Sequence, residues 1–240
     1  MELTDEFFVE LIDSKDYLSN LPLKEIVYKG LRRAIILGRI PVGQRINEKE
    51  YAKRLNISRT PIRYALELLQ HEGLVENIPK YGTIVKKITL KDAEEIYEIR
   101  RALEKLAFTN ALMKMTREDI QELDKLMEET QELINEHHLE QINDYFARFN
   151  EKVLAIADMP RLTDTIKRLK EYLTRFRDIS VSDDKRRLRA FRDHLHIYQA
   201  LKNKDILTMC TLLDKHLLDS KEFILNRLSS LEQEHTGHAE

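Results

Sequence analysis

Ile57-Ser58-Arg59-Thr60-Pro61-Ile62-Arg63-Tyr64-Ala65-Leu66-Glu67-Leu68-Leu69 is the stretch on which the reading of this chain turns. Ser58 is a good helix N-cap, because its hydroxyl can accept a bond from an orphan N–H of the first turn. Pro61 falls within that turn, where a missing N–H costs little. Ile62, Leu66 and Leu69 recur at i, i+4 and i+7 and give one apolar face. Arg59, Thr60 and Arg63 fall off that face, near the helix start. Such a helix suits the major groove of DNA: Arg can bond guanine O6 and N7 as a pair, and hydroxyls and N-terminal amides can hold phosphates. Taken alone, the stretch fits an ordinary surface helix with two solvated arginines equally well. Its flanks separate the two readings.

Charge is distributed unevenly around it. The 240 residues carry a net charge of −2, yet Pro22 to Ile88 holds fourteen Lys/Arg against six Asp/Glu. The first 21 residues oppose six acidic side chains to Lys15, and the remainder has twenty-five basic and thirty acidic residues. A compact basic segment in a mildly acidic chain is the footprint of a polyanion binder. Five of six Gly and four of five Pro lie between Pro22 and Gly82; from Thr83 to Thr236 there is no Gly and only Pro160. That long stretch, rich in Leu, Glu and Lys, reads as helices. The regimes change near residue 88. Cys210 is the single cysteine and excludes an intrachain disulfide. No charged-then-apolar opening and no apolar run of membrane-spanning length is found, so the expectation is a cytoplasmic protein with no membrane partner.

In chain order, residues 1–21 form an acidic arm with an amphipathic pattern around Phe7, Phe8, Leu11 and Ile12. Pro22 opens a helix that ends before Gly38, with Ile26, Leu31, Ala34, Ile35 and Leu37 as its inward stripe. Ile40-Pro41-Val42-Gly43 is a turn. Asn47 caps a short helix over Glu48–Leu55, and Asn56-Ile57 turns into the helix of the first paragraph. Helix, helix, tight turn, helix is the helix-turn-helix order with the recognition helix last. Leu74–Ile78 and Thr83–Lys87 read as two strands joined by Pro79-Lys80-Tyr81-Gly82. This wing presents Lys80 and Tyr81, and Gly82 permits close approach to a phosphate or minor groove.

These residues carry a specific resemblance. The run Ile35-Ile36-Leu37-Gly38-Arg39-Ile40-Pro41-Val42-Gly43-Gln44-Arg45-Ile46-Asn47-Glu48 resembles the entry to the GntR family's DNA-binding domain. Ser58-Arg59-Thr60-Pro61-Ile62-Arg63, then Ala65-Leu66, Leu69, Glu72-Gly73-Leu74-Val75 and Gly82-Thr83, is similar to the same family's helix-turn-helix and wing. The resemblance implies a winged helix-turn-helix over 22–88. DNA contacts are then expected at Lys49, Ser58, Arg59, Thr60 and Arg63, with the wing at Tyr81 and Gly82. Tyr64 departs from the family's usual Glu; the contact arginines are untouched, so it is expected to tune operator choice at most.

Residues 89–232 resemble the all-helical FCD effector domain of the FadR-type branch, a bundle of six or seven helices, with 233–240 as a tail. Helices are expected over 90–114, 117–137, 139–157, 161–180, 184–202 and 204–231. Arg100 falls within the apolar stripe of Ile96, Leu103 and Ala107. A buried Arg must be paired: either a core Glu or Asp holds it, or it receives a ligand carboxylate, which Arg grips with two N–H groups. His194, amid Phe191, Ile197, Tyr198 and Leu201, and His216, amid Met209, Leu212 and Phe223, face inward; His196, His137 and His138 are expected in solvent. The resemblance implies one divalent metal (Zn, Ni or Mn) held by an Asp and a His four residues apart plus two later His, here His194 and His216. Phe146 occupies the Asp position and Asn150 the His position, and Asp144 is rotated away. Two neutral His and an amide make a weak site. The expectation is therefore a pocket without a tightly held metal, in which Arg100, Asn150, His194 and His216 capture an anion.

The reading that follows is a mainly α protein: a dimeric DNA-binding regulator, a repressor by family habit, on an inverted-repeat operator and modulated by a small carboxylate. The alternative is a DNA-binding dimer whose pocket no longer binds metal or ligand. HExxH, paired catalytic carboxylates, a phosphate-cradling glycine loop and an activated Ser or Cys are all missing, so an enzyme is not expected.

Overall fold

The computed structural model describes residues 7, 21–87, 89–173 and 184–236. The chain divides into two compact units, Met1–Thr89 and Leu90–Glu240. Most of the arm read at 1–21, the end of the helix read over 161–180 and the last four residues lie outside the described residues.

Among the described residues 21–87 the first unit holds three helices and a small sheet: α1 (Leu23–Ile36), β1 (Arg45–Ile46), α2 (Glu48–Arg54), α3 (Arg59–His71), β2 (Val75–Ile78) and β3 (Gly82–Val85). The sheet is antiparallel in the order β1-β3-β2, with Arg45 opposite Ile84 and Ile78 opposite Gly82. α1 packs chiefly against α3. The inward line of α1 is Val27, Leu31, Ala34, Ile35 and Ile36. The sequence pattern put Ile26 and Leu37 on this line; both are only half-buried, because the helix turns Val27 into the core. Asn47 caps α2 as expected, its Oδ1 accepting from the N–H groups of Lys49 at 3.0 Å and Glu50 at 3.4 Å. Asn56 takes a left-handed φ of 52° in the turn between α2 and α3, a conformation that Asn tolerates better than most residues. α3 buries Ile62, Ala65, Leu66 and Leu69. Ser58 sits at the N-cap with extended backbone, but its hydroxyl makes no capping bond, so the interaction expected from its type is not formed. At the other end Leu74 N–H bonds Leu69 C=O at 2.9 Å and Gly73 N–H bonds Gln70 C=O at 3.0 Å. This two-bond C-cap needs the positive φ of 74° that Gly73 supplies. Of the two wing strands, β2 begins one residue later than the sequence pattern and ends where it put the end, β3 begins one residue earlier and ends two earlier, and β1 was not legible in it at all.

The second unit is a helical bundle: α4 (Leu90–Lys114), α5 (Arg117–Asn135), α6 (Ile142–Ala157), α7 (Pro160–Tyr172), α8 (Asp184–Lys202) and α9 (Ile206–Thr236). Thr116 and Asp119 form a reciprocal capping box at the start of α5. α5 stops before 137, where His137 takes a positive φ of 62°. α6 starts three residues later than the pattern suggested, and α9 starts two residues later and ends five residues later. Ala107, Phe108, Ala111, Leu123, Phe149, Val153, Ile197, Leu201, Met209, Leu213 and Leu217 form the centre of one continuous core.

The first unit also buries a charge that sequence periodicity did not reveal. Arg32 Nε donates to Glu72 Oε2 at 2.7 Å, and the Tyr28 hydroxyl donates to the other oxygen of the same carboxylate. Removing one partner of a buried pair leaves the other uncompensated. Glu72→Ala is therefore expected to destabilise this unit by about 2–4 kcal/mol, whereas Arg32→Met with Glu72→Leu recovers most of the loss. Urea unfolding of the full chain, followed by circular dichroism, measures both.

Candidate functional site

Two regions have functional geometry, one in each unit. In the first, the N-terminal turns of α3 project Ser58, Arg59, Thr60 and Arg63 into solvent. Pro61 and Ile62 pack inward between them, so the apolar face of α3 fixes the rotation that turns the arginines out. Glu48, at the start of α2, meets both. Its Oε2 accepts from Arg59 Nη2 at 2.9 Å and from Arg63 Nη2 at 3.2 Å. Partial burial pushes the Glu48 carboxyl up, but the hydrogen bonds and charges of Arg63 and Arg59 outweigh this and hold it below the usual carboxylate range. The two arginines remain 56% and 57% exposed. Each guanidinium has five N–H donors, so one shared carboxylate sets them side by side without consuming them. Lys49 is exposed next to Glu48.

On the wing, Tyr81 is 52% exposed, and the Arg45 guanidinium lies over its ring at 5.4 Å. Gly82 has φ of 106°, and a Cβ there would come within 3.2 Å of Arg45 Nε. The glycine thus makes room for Arg45, a cation that sequence reasoning missed. Its only signal was its place in the basic segment. Tyr64 turns away from the arginines: its hydroxyl donates to Glu25 Oε1 at 2.8 Å on α1, and Lys24 sits over its ring.

In the second unit, α4, α6, α7, α8 and α9 enclose a cavity of about 140 Å³. Arg100, Asn150, His194 and His216, the four residues named from sequence, all line it, joined by Lys170, Arg186, Arg187 and Ser220. Among the described residues no carboxylate lines it; Glu104 lines a smaller adjoining void of about 30 Å³. Arg100 is held by the core: its Nε donates to Glu104 Oε1 at 2.9 Å, and its guanidinium lies 4.9 Å from the Tyr97 ring. Burial pushes Glu104 up, yet Lys170 and Arg100 outweigh it and keep the carboxyl ionised. Arg186 donates to Ser220 Oγ at 3.0 Å and lies against Phe223. Among the described residues, no carboxylate forms an ion pair with it.

The two histidines are oriented from behind. His194 Nδ1 is 2.7 Å from Ala190 C=O. A carbonyl only accepts, so Nδ1 carries the proton and Nε2 keeps its lone pair, toward Asn150 Nδ2 at 3.5 Å. His216 Nδ1 donates to Asp193 Oδ2 at 3.1 Å. The rings meet edge-on at 4.8 Å. Burial, reinforced by His216, pushes His194 down to about 3, so it is neutral near pH 7. Phe146 stacks flat on His194 at 4.6 Å. The Asn150 amide donates to Phe146 C=O at 2.8 Å. Among the described residues no cluster of three His, Cys, Asp or Glu is arranged to hold a metal. Two imidazoles and an amide, with no carboxylate among them, do not fit a tightly held divalent ion. His196, His137 and His138 are exposed, as is Asp144.

A three-helix head with a β-wing and paired outward arginines, followed by a helical domain around a polar cavity, defines a winged helix-turn-helix transcription regulator. The chain belongs to the GntR family of bacterial regulatory proteins, matched over residues 23–85, and carries an FCD domain, matched over residues 95–219. It is 30% identical over 179 residues to the HTH-type transcriptional regulator YdhC of Bacillus subtilis, covering 74% of this chain and 80% of YdhC. It is 28% identical over 203 residues to the HTH-type transcriptional repressor RspR of Escherichia coli, covering 85% and 89%. The fold is similar to that of E. coli McbR/YncC, with a TM-score of 0.65 at 23% identity over 86% of this chain and 99% of that one. No helix among the described residues is long and apolar enough to cross a membrane.

A neutral buried His has a linkage consequence. Between the ordinary value of 6.5 and about 3 the unfolded chain binds a proton at His194 that the native chain does not. Native stability then falls with decreasing pH across that window, by up to about 1.4 kcal/mol per pH unit. His194→Asn is expected to flatten this acid limb, read as the urea midpoint against pH; an unchanged slope would show that His194 is not buried in the neutral form.

Proposed function

We propose that this protein is a homodimeric repressor, with residues 22–88 reading an inverted-repeat operator and residues 89–232 responding to a small carboxylate. The observation that carries the operator reading is the Arg59–Glu48–Arg63 arrangement. It holds two guanidiniums together at the exposed start of α3, where each can address a guanine edge, while Lys49, Ser58 and Thr60 hold the backbone. Tyr81, Gly82 and Arg45 of the wing then meet phosphate or minor groove. A dimer of such heads fits a two-fold symmetric site.

Support for the effector reading comes from charge and size. Among the described residues Arg186 lines the cavity without a carboxylate ion pair, while Arg100 is partly neutralised by Glu104. A carboxylate between them, with Ser220, Asn150, His194 and His216 as further polar partners, balances the site. An apolar cavity of about 150 Å³ admits benzene, so this cavity of about 140 Å³, partly open to solvent, has room for a molecule of roughly six non-hydrogen atoms. Binding that favours one state of the bundle shifts operator affinity by its differential affinity for the two states. The Phe146 stack on His194 favours the alternative that the cavity takes no ligand; a screen of short-chain acids by thermal shift, without added metal, separates the two.

Operator fragments selected from random DNA by the purified protein are expected to be two-fold symmetric. Arg59→Ala and Arg63→Ala each weaken binding to them by about 1–3 kcal/mol and relax preference at one base; unchanged affinity in both variants rejects the contact assignment. Arg186→Ala is expected to bind the operator normally but to lose the response to an acid that releases wild type. Elemental analysis of protein purified without chelator is expected to find no stoichiometric Zn, Ni or Mn.

A further inference from the structure

α3 has two flanks, and a different helix meets each. At about 3.6 residues per turn, Tyr64 lies about 40° round α3 from Thr60, on the side away from Arg59 and Arg63. The contacts agree with that rotation. Glu48 of α2 meets the arginines on one flank. Glu25 of α1 meets Tyr64 on the other, accepting from its hydroxyl at 2.8 Å. This bond braces the ring, and the ring face carries Lys24, whose Nζ lies 4.6 Å from the centroid. Lys24 is exposed, and among the described residues no carboxylate forms an ion pair with it. α1 itself does not hold the ammonium, since a cation in the first turn of a helix opposes the macrodipole. The wing repeats the device: the Arg45 guanidinium lies over the exposed Tyr81 ring.

We infer that Lys24 contacts a phosphate of the operator on the flank of α3 opposite to Lys49, and that Tyr64 is the positioning residue that aims it there. This contact presupposes that α3 lies in the major groove, as proposed above. The groove is about 12 Å wide, and a helix with its side chains is about 10–12 Å across. A helix lying in it therefore has a phosphate strand along each flank. Lys49, next to Glu48 on α2, faces one strand, and Lys24 on α1 is the cation beside the other. An aromatic face attracts the ammonium without using up its three N–H donors, which stay available to phosphate oxygens. The family's usual Glu at this position would set a second carboxylate beside Glu25 and near the phosphates. Tyr64 removes that charge and provides a surface on which a cation rests. Phosphate contacts carry no sequence information directly, so Tyr64 acts on affinity for every sequence and not on operator choice.

Fluorescence anisotropy with the full chain and a selected operator, measured from 50 to 200 mM salt, tests this. Each phosphate contact contributes about 0.9 to the slope of log affinity against log salt. Lys24→Gln is expected to lower the slope by about that amount, so that its deficit relative to wild type shrinks about three- to fourfold across this range. The ranking of operator variants stays unchanged, and Lys24→Arg restores the slope. Tyr64→Leu, which keeps an apolar side chain but no ring, is expected to lose most of the same slope and to add nothing when combined with Lys24→Gln. Tyr64→Phe keeps the slope. Helical circular dichroism stays unchanged in each variant, since neither residue belongs to the core. A Lys24→Gln slope equal to wild type, or a changed base preference in that variant, overturns the phosphate contact. A Tyr64→Leu slope equal to wild type overturns the positioning role. If Arg59→Ala and Arg63→Ala weaken binding while Lys24→Gln changes nothing, the operator reading stands and this contact falls alone; if both arginine variants bind as wild type does, the two fall together.

Discussion

Charge that leaves water must be matched, and in this protein the matching partner decides where each functional side chain points. Glu48 gathers Arg59 and Arg63 at the start of α3. Arg32 in the core of the first unit is fixed by Glu72. In the bundle Glu104 holds Arg100 and lies 3.6 Å from Lys170, while Asp193 orients His216. Each carboxylate is far in sequence from at least one of its partners, Glu104 included, since Lys170 lies on another helix. The apolar core sets the rotation of the helices, and these pairs set the aim of the groups they carry. The exposed pair at Glu48 contributes little to stability, since solvent-exposed pairs are worth about 0–1 kcal/mol. Its effect is geometric: two long, flexible side chains are drawn toward one place before any nucleic acid arrives.

The parts of this arrangement that depend on neighbours in sequence were legible beforehand. Turn chemistry at Gly38, Asn47, Asn56 and Gly73 marked the helices of the first unit, and the lack of Gly and of any Pro but Pro160 from Thr83 to Thr236, in a stretch rich in Leu, Glu and Lys, marked those of the second. The orientation of α3 followed from Ile62, Leu66 and Leu69, which are buried as their spacing requires. His194 and His216 were placed on a common cavity from the rotation of two helices, and the cavity contains both.

What sequence did not disclose depends on distance in the chain. β1 is two residues long and exists only because β3 pairs with it, so its own residues carry no strand pattern. Arg45 and Arg186 became candidates once Gly82 and Ser220 were seen beside them. Asp193 looked like one of many charges on α8 until α9 set His216 against it. Ser58 illustrates the reverse: a residue type with a strong local preference, at the position that preference selects, without the hydrogen bond. Tyr64 is similar in kind, since its substitution for the usual Glu is explained by Glu25 and Lys24 on another helix rather than by α3 itself.

The most direct test of the central claim, that Arg59 and Arg63 read guanine edges in an operator, is an interference measurement on a selected operator. Each guanine is replaced in turn by 7-deazaguanine, which removes N7 and leaves base pairing intact. The account predicts that wild-type affinity falls at symmetry-related guanines in the two half-sites, and that the same replacements cost nothing further in the variant lacking the matching arginine. Affinity that is indifferent to every such replacement in the wild type would contradict it.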